Sequence, residues 1–188
     1  PLTRSMCAPI GDGAAAALVC SERILATLPD RVRERAVRVA GLGFTSGAFR
    51  RPDEPSLSHH AANIAYTAAG LGPGDVDVAE IHDATSFSEI YQVEMLGFCE
   101  RGEGGAFVES GATGPGGALP VNTSGGLVSK GHPIAATGLS MIYELAVQLR
   151  QEAGERQAPG ARVGLQENGG GVMGLEEAAC SVCILTKE

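Results

Sequence analysis

Nowhere in the 188 residues do lysines and arginines form a run, and 14 basic against 22 acidic side chains leave a formal net charge of -8. Such a balance argues against nucleic acid or an anionic membrane surface as the main partner. No apolar stretch is long enough to span a bilayer, and the opening residues lack the basic, apolar and small-residue pattern of a signal peptide, so a soluble, cytoplasmic protein is predicted. Paired cysteines are missing too. Cys7, Cys20, Cys99, Cys180 and Cys183 form an odd set without metal-ligand spacing, and Cys180-x-x-Cys183 lies in an apolar, β-like run. Buried reduced thiols are expected, and no metal site. What the chain has in excess is glycine, 27 residues, roughly twice the average usage of about 7%. Clustered in short runs, these glycines mark left-handed turns or close backbone approach. With 44% hydrophobic residues, one compact α/β core is expected. The chain opens at Pro1-Leu2-Thr3 without a methionine and reads as part of a longer protein.

Along the chain, Ala14–Cys20 reads as a buried strand, and Ser21 as the cap of a short helix reaching Leu28. Ala36–Thr45 fits a strand. Ser58 is placed to cap a helix with Ala61, Ile64, Ala65 and Ala68 on one face, stopped at Gly70. The short strand Asp77–Ile81 delivers His82 and Asp83 to its carboxyl end. Ser86-x-x-Glu89 has the capping-box form, with Phe87, Ile90, Tyr91 and Met95 along the following helix. Gly102 to Gly117 reads as a surface loop. Pro133 fits a first helical turn, with Leu139, Ile142, Tyr143, Ala146 and Val147 as the buried stripe. Val163–Gln166 and Ala178–Leu185 read as strands around a Gly-rich turn. The alternation of strands and helices predicts a layered α/β domain with a mixed sheet.

Three polar clusters sit at strand ends or helix starts beside glycine, where α/β proteins place ligands: His82-Asp83-Ala84-Thr85, Ser124 to Pro133, and Gln166 to Gly171. His132, read at a helix N-terminus, is the leading catalytic candidate, because a neutral imidazole accepts a proton from a thiol or donates to an oxyanion. A plain capping histidine satisfies the same spacing. His82 is a candidate donor or a hydrogen-bonded strand-end residue, and Asp83 a turn or cap residue. Glu167 is a candidate carboxylate base or a solvated loop acid, and Gly169, Gly170 and Gly171 offer N–H groups to an anionic oxygen. Arg50-Arg51 reads as surface, and His59-His60 as decoration of a helix start.

Together, Gly125-Gly126-(x)4-Gly131-His132-Pro133, the Asp12-Gly13-Ala-Ala-Ala opening, the His82-Asp83 strand end and the Gly169-Gly-Gly171 run resemble the thiolase superfamily. The likeness is to the sterol-carrier-protein type of thiolase and bacterial thiolase-like, lipid-transfer proteins, whose Gln-Leu-Arg-x-Glu-Ala-Gly ending is echoed from Gln148 onward. The resemblance implies a thiolase-like layered α/β fold with a mixed five-stranded sheet. It makes residues 1–30 the tail of an N-terminal thiolase domain and 31–188 the C-terminal domain of a duplicated fold. It further implies acyl-group transfer between 3-ketoacyl-CoA and CoA, with coenzyme A as substrate and no tightly bound cofactor. On the same grounds His132 would activate a cysteine supplied by the N-terminal half, His82 would complete an oxyanion hole, and Gly169 would serve a second one. Gly131 and Asn122 would line the substrate site. Glu167 stands where thiolases carry the cysteine of a Cys-x-Gly turn, and Ala84 where sterol-carrier types carry theirs. None of the five cysteines matches the nucleophile's motif, so the chain alone is expected to be inactive. The missing second thiol leaves open a retro-aldol lyase acting on a CoA-linked side chain with a small zinc-ribbon and OB-fold partner. A non-catalytic lipid-binding subunit is a third alternative, and a homodimer is implied for the whole protein.

Overall fold

A computed structural model describes residues 2–47 and 49–187. Its centre is a four-stranded mixed sheet in the order β1-β4-β3-β2, built from β1 (Arg38–Ser46), β2 (Val78–Glu80), β3 (Val163–Gly170) and β4 (Ala179–Thr186). β4 runs antiparallel to both neighbours, and β2 runs parallel to β3. The sheet has four strands among the described residues where five were expected, and the separate strand expected at Ala14–Cys20 is not formed. That run is exposed, with Leu18 and Val19 in solvent. Ser21 does cap the helix that follows, accepting from the N–H of Ile24 at 3.4 Å. That helix, α1 (Glu22–Leu25), is a single turn, and α2 (Asp30–Arg33) comes next.

Each face of the sheet carries a helix. Alternation along β4 sends Cys180, Val182 and Ile184 into one core with Ala61, Ala65 and Leu165, and Cys183 and Leu185 into a second with Leu145 and Leu149. The first core is closed by α3 (Leu57–Ala69). It lies so close to β1 that a Cβ on Gly43 would stand 1.9 Å from the carbonyl oxygen of Ala61, and one on Gly41 2.2 Å from that of Ala65. Glycine on the strand and alanine on the helix are thus one packing solution. Ser56, two residues before the predicted cap, accepts from the N–H of His59. The buried face of α3 is Ala61, Ala62, Ala65 and Tyr66, whereas Ile64 and Ala68 are exposed. Gly70 ends the helix at φ 67°.

α4 (Ser86–Met95) starts where predicted, but Ser86 is its first residue and no side chain caps it. Its buried residues are Gln92, Val93 and Met95, and Phe87 is exposed. The glycine-rich stretch read as loop contains α5 (Gly104–Glu109), whose Phe107 and Val108 pack on the core. After α6 (Gly126–Lys130) comes α7 (Thr137–Leu149), which covers the second face. It begins four residues beyond Pro133, and its buried stripe is Met141, Glu144, Leu145, Gln148 and Leu149. Leu139 and Tyr143 face solvent, so the apolar stripe read from the sequence was rotated from the one the sheet receives. No helix among the described residues is long and apolar enough to cross a membrane.

Candidate active site

Two histidines meet beyond the carboxyl end of β2. The imidazoles of His82 and His132 are edge to face, with centroids 5.0 Å apart and planes at 76°. Each arrives by a separate local device. β2 stops pairing with β3 at Glu80 opposite Gln166, and the next two N–H groups go to side chains: Ile81 to Asn122 Oδ1 at 2.9 Å, His82 to Glu167 Oε2 at 3.0 Å. Asp83 then turns inward and accepts from the N–H groups of Leu127 and Val128 at 2.6 and 3.4 Å. It therefore satisfies two first-turn N–H groups of α6, far along the chain, whose own N-cap Gly125 has no side chain to do so. Gly126 is required at this approach, since its φ is 61° and a Cβ would lie 2.2 Å from Asp83 Oδ2.

α6 ends at Gly131, φ 92°, whose N–H is taken by Leu127 O. That N–H is therefore already engaged within the helix end. His132 donates its backbone N–H to Pro9 O at 2.8 Å, so the N-terminal segment straps the histidine in place. Its Nδ1 lies 2.8 Å from Thr137 Oγ1, and that hydroxyl gives its own proton to Pro133 O at 3.1 Å. With that proton on Pro133 O, Oγ1 accepts from Nδ1–H. By this network the neutral imidazole carries its lone pair on Nε2, the nitrogen suited to accept a proton. The turn Ile134–Ala136 separates His132 from α7, so this hydroxyl, rather than a helix terminus, orients the ring.

His82 is held neutral: burial, assisted by repulsion from His132, lowers its pKa to about 4. Glu167 was expected at a strand-to-turn junction, but β3 continues through it to Gly170, and its side chain is wholly buried. Burial raises its pKa to about 7 against the opposing hydrogen bond from His82. The thiol of Cys180 donates to its other oxygen at 3.3 Å. Gly169 lies in the same strand opposite Cys180 rather than in a turn, so the three glycines do not form one anion nest. Asn122, at φ 54°, spends its carbonyl on Ile81, while its buried Nδ2 has no partner among the described residues. Of the cysteines, Cys180 and Cys183 are buried free thiols as expected, whereas Cys20 is exposed.

Sequence reasoning missed the polar layer under this site. Buried Glu80 accepts from the N–H and hydroxyl of Ser124, and Lys130 approaches it to 3.7 Å. Glu144 binds Thr123, Gln148 and Arg156. Burial opposes its ionisation, but the Arg156 and Gln148 hydrogen bonds prevail and hold its pKa below the usual carboxylate range. The available signal was a polar i,i+4 pair, Glu144 and Gln148, inside an otherwise apolar helix. Arg50 also departs from its surface reading. It forms a nearly buried ion pair with Glu176 at 2.7 Å and bonds Tyr91 Oη at 2.6 Å, while Arg51 remains exposed.

Residues 54–186 match the family model described as "Thiolase C-terminal domain-like". The chain belongs to that family. Among curated relatives, the chain is 43% identical to sterol carrier protein 2 of Rattus norvegicus, over 96% of this chain and 36% of that protein. It is 41% identical to an acetyl-CoA acetyltransferase of Methanothermobacter thermautotrophicus, over 93% of this chain and 46% of that one. It is 36% identical to the benzoylsuccinyl-CoA thiolase subunit BbsB of Thauera aromatica, over 91% and 45%. A solved chain of the "Ltp2-ChsH2(DUF35) aldolase" superposes with a TM-score of 0.70 at 26% identity, over 84% of this chain and 42% of that one. The chain thus spans less than half the length of these thiolase-family relatives. The thiolase-like mixed α/β fold is the one expected, with four strands in place of five.

Proposed function

We propose that this chain is the C-terminal part of an enzyme that transfers acyl groups between 3-ketoacyl-CoA and CoA, by thiolysis or Claisen condensation. The carrying observation is the His82–His132 pair, with the lone pair of His132 directed to Nε2 by Thr137. His132 Nε2 takes the proton of a cysteine thiol supplied by the N-terminal half of the fold, and the thiolate attacks C3 of the 3-ketoacyl-CoA. The C2–C3 bond then breaks, leaving the acyl group on the cysteine and an acyl-CoA enolate whose C2 takes up that proton, and the thiol of a second CoA takes the acyl group and frees the cysteine. His82, kept neutral by burial, donates a hydrogen bond to the thioester oxygen as negative charge develops. Gly169 contributes a backbone N–H to a second oxyanion position. The whole protein is a homodimer, with coenzyme A as substrate and no bound cofactor.

A second reading is a retro-aldol lyase on a CoA-linked side chain, working with a zinc-ribbon and OB-fold partner. It is supported by Ala84 and Glu167 at the positions where thiol bases are expected, and by the likeness to the aldolase chain. The two are separated by offering the full-length protein acetoacetyl-CoA plus CoA and, in parallel, a 3-hydroxyacyl-CoA. Thiolysis lost in His132→Ala supports the first reading. Cleavage of the 3-hydroxy substrate alone, with the partner required, replaces it with the second. Neither activity would leave a non-catalytic lipid-binding subunit.

A further inference from the structure

Glu167 has no part in the chemistry just described, and its surroundings explain what it does instead. Facing the α3 side of the sheet, it is 0% exposed, so no substrate reaches it. One oxygen accepts from the Cys180 thiol and the other from the peptide N–H of His82. That second bond falls one residue beyond Ile81, just where the β2–β3 ladder has ended at Glu80 and Gln166. A buried peptide N–H without a partner is costly. Here the side chain of β3 supplies what its backbone no longer can, and Asn122 does the same for Ile81.

We propose that Glu167 is a positioning residue: anchored by Cys180, its carboxyl replaces the missing strand partner of His82 and so fixes the imidazole against His132. The proposal rests on His82 and His132 being the thioester-oxygen site only for its consequence on catalysis; the hold on the peptide is independent of that reading. A carboxylate accepts more strongly than a carboxylic acid, so the grip tightens as Glu167 ionises. The titratable groups acting on it are Cys180 from β4, Glu177 from the β3–β4 turn, and Asp83 beside His82.

The test follows the His82 amide in 15N-labelled protein by heteronuclear NMR and hydrogen exchange. In the unmodified protein its proton resonance should shift with a single inflection between pH 6 and 8. Glu167→Gln keeps an acceptor oxygen, so the inflection should vanish while exchange protection stays. Glu167→Ala should raise exchange at His82 roughly tenfold or more. If Glu167→Ala does not fold, the Glu167→Gln titration decides alone. An amide that never titrates, or an inflection that survives Glu167→Gln, overturns the proposal. In the thioester assay, Glu167→Gln should recover most of the kcat lost in Glu167→Ala. Equal loss in both, with a limb of the pH profile removed, would make Glu167 an acid/base group and overturn it as well. Absence of any thioester activity would count against the proposed function and leave the amide measurement standing.

Discussion

Glu167 and His82 titrate in opposite senses, and replacing one exposes the other. Burial raises the Glu167 carboxyl from 4.5 to about 7, so its contribution to stability is fully present below pH 4.5 and is lost as pH rises through 7. At 1.36 kcal/mol per pH unit that amounts to about 3 kcal/mol. Burial lowers His82 from 6.5 to about 4. Its contribution, again about 3 kcal/mol, is present above pH 6.5 and is lost as pH falls through 4. Between about pH 4.5 and 6.5 the two slopes offset each other. Glu167→Gln removes the falling one and keeps the hydrogen-bond acceptor for His82. The variant should therefore gain on the unmodified protein by about 3 kcal/mol between pH 4.5 and 7. Glu80 and Glu89, also pushed upward by burial, titrate in both proteins and drop out of the difference. Urea denaturation at half-unit pH steps measures it, since a change in midpoint at constant slope reads stability directly. Two parallel stability curves would refute the assignment of the buried carboxyl.

Three other perturbations read separate parts of the structure. Gly43→Ala drives a methyl into the Ala61 carbonyl and should cost at least about 2 kcal/mol in thermal unfolding, whereas Ala substituted at exposed Gly105, inside α5, should not destabilise. Arg50→Ala leaves Glu176 buried without its cation; a loss of about 3 kcal/mol is expected, and one below about 1 kcal/mol would mean that water reaches the carboxylate. Thr137→Val removes the hydroxyl that sets the His132 tautomer. The Nδ1 and Nε2 resonances of His132 should then show mixed tautomers by 15N NMR, and kcat of the full-length enzyme should fall by roughly tenfold while the melting temperature changes little.

The site was legible where local chemistry decides it. Glycine at 126 and 131, an acid one residue past a strand-end histidine, and His132 before proline are cues carried by neighbours in sequence, and they drew attention to the right segments. The helical faces were less legible. In α3 and α7 the apolar residues outnumber those the sheet can cover, so periodicity alone could not say whether Ile64 or Tyr66, Tyr143 or Glu144, turns inward.

What the sequence by itself determined was the layered α/β class, the family, and the segments that converge on His82 and His132, because those depend on strand-and-helix alternation and on backbone positions only glycine tolerates. Tertiary structure alone decided which faces of α3 and α7 the sheet covers, since burial depends on where the helix is laid against the strands. It also decided that Glu167 lies beneath His82 with Cys180 and not in a solvated turn. The protonation of that carboxyl follows from burial among residues far apart in the chain, a quantity that no spacing along a single chain encodes.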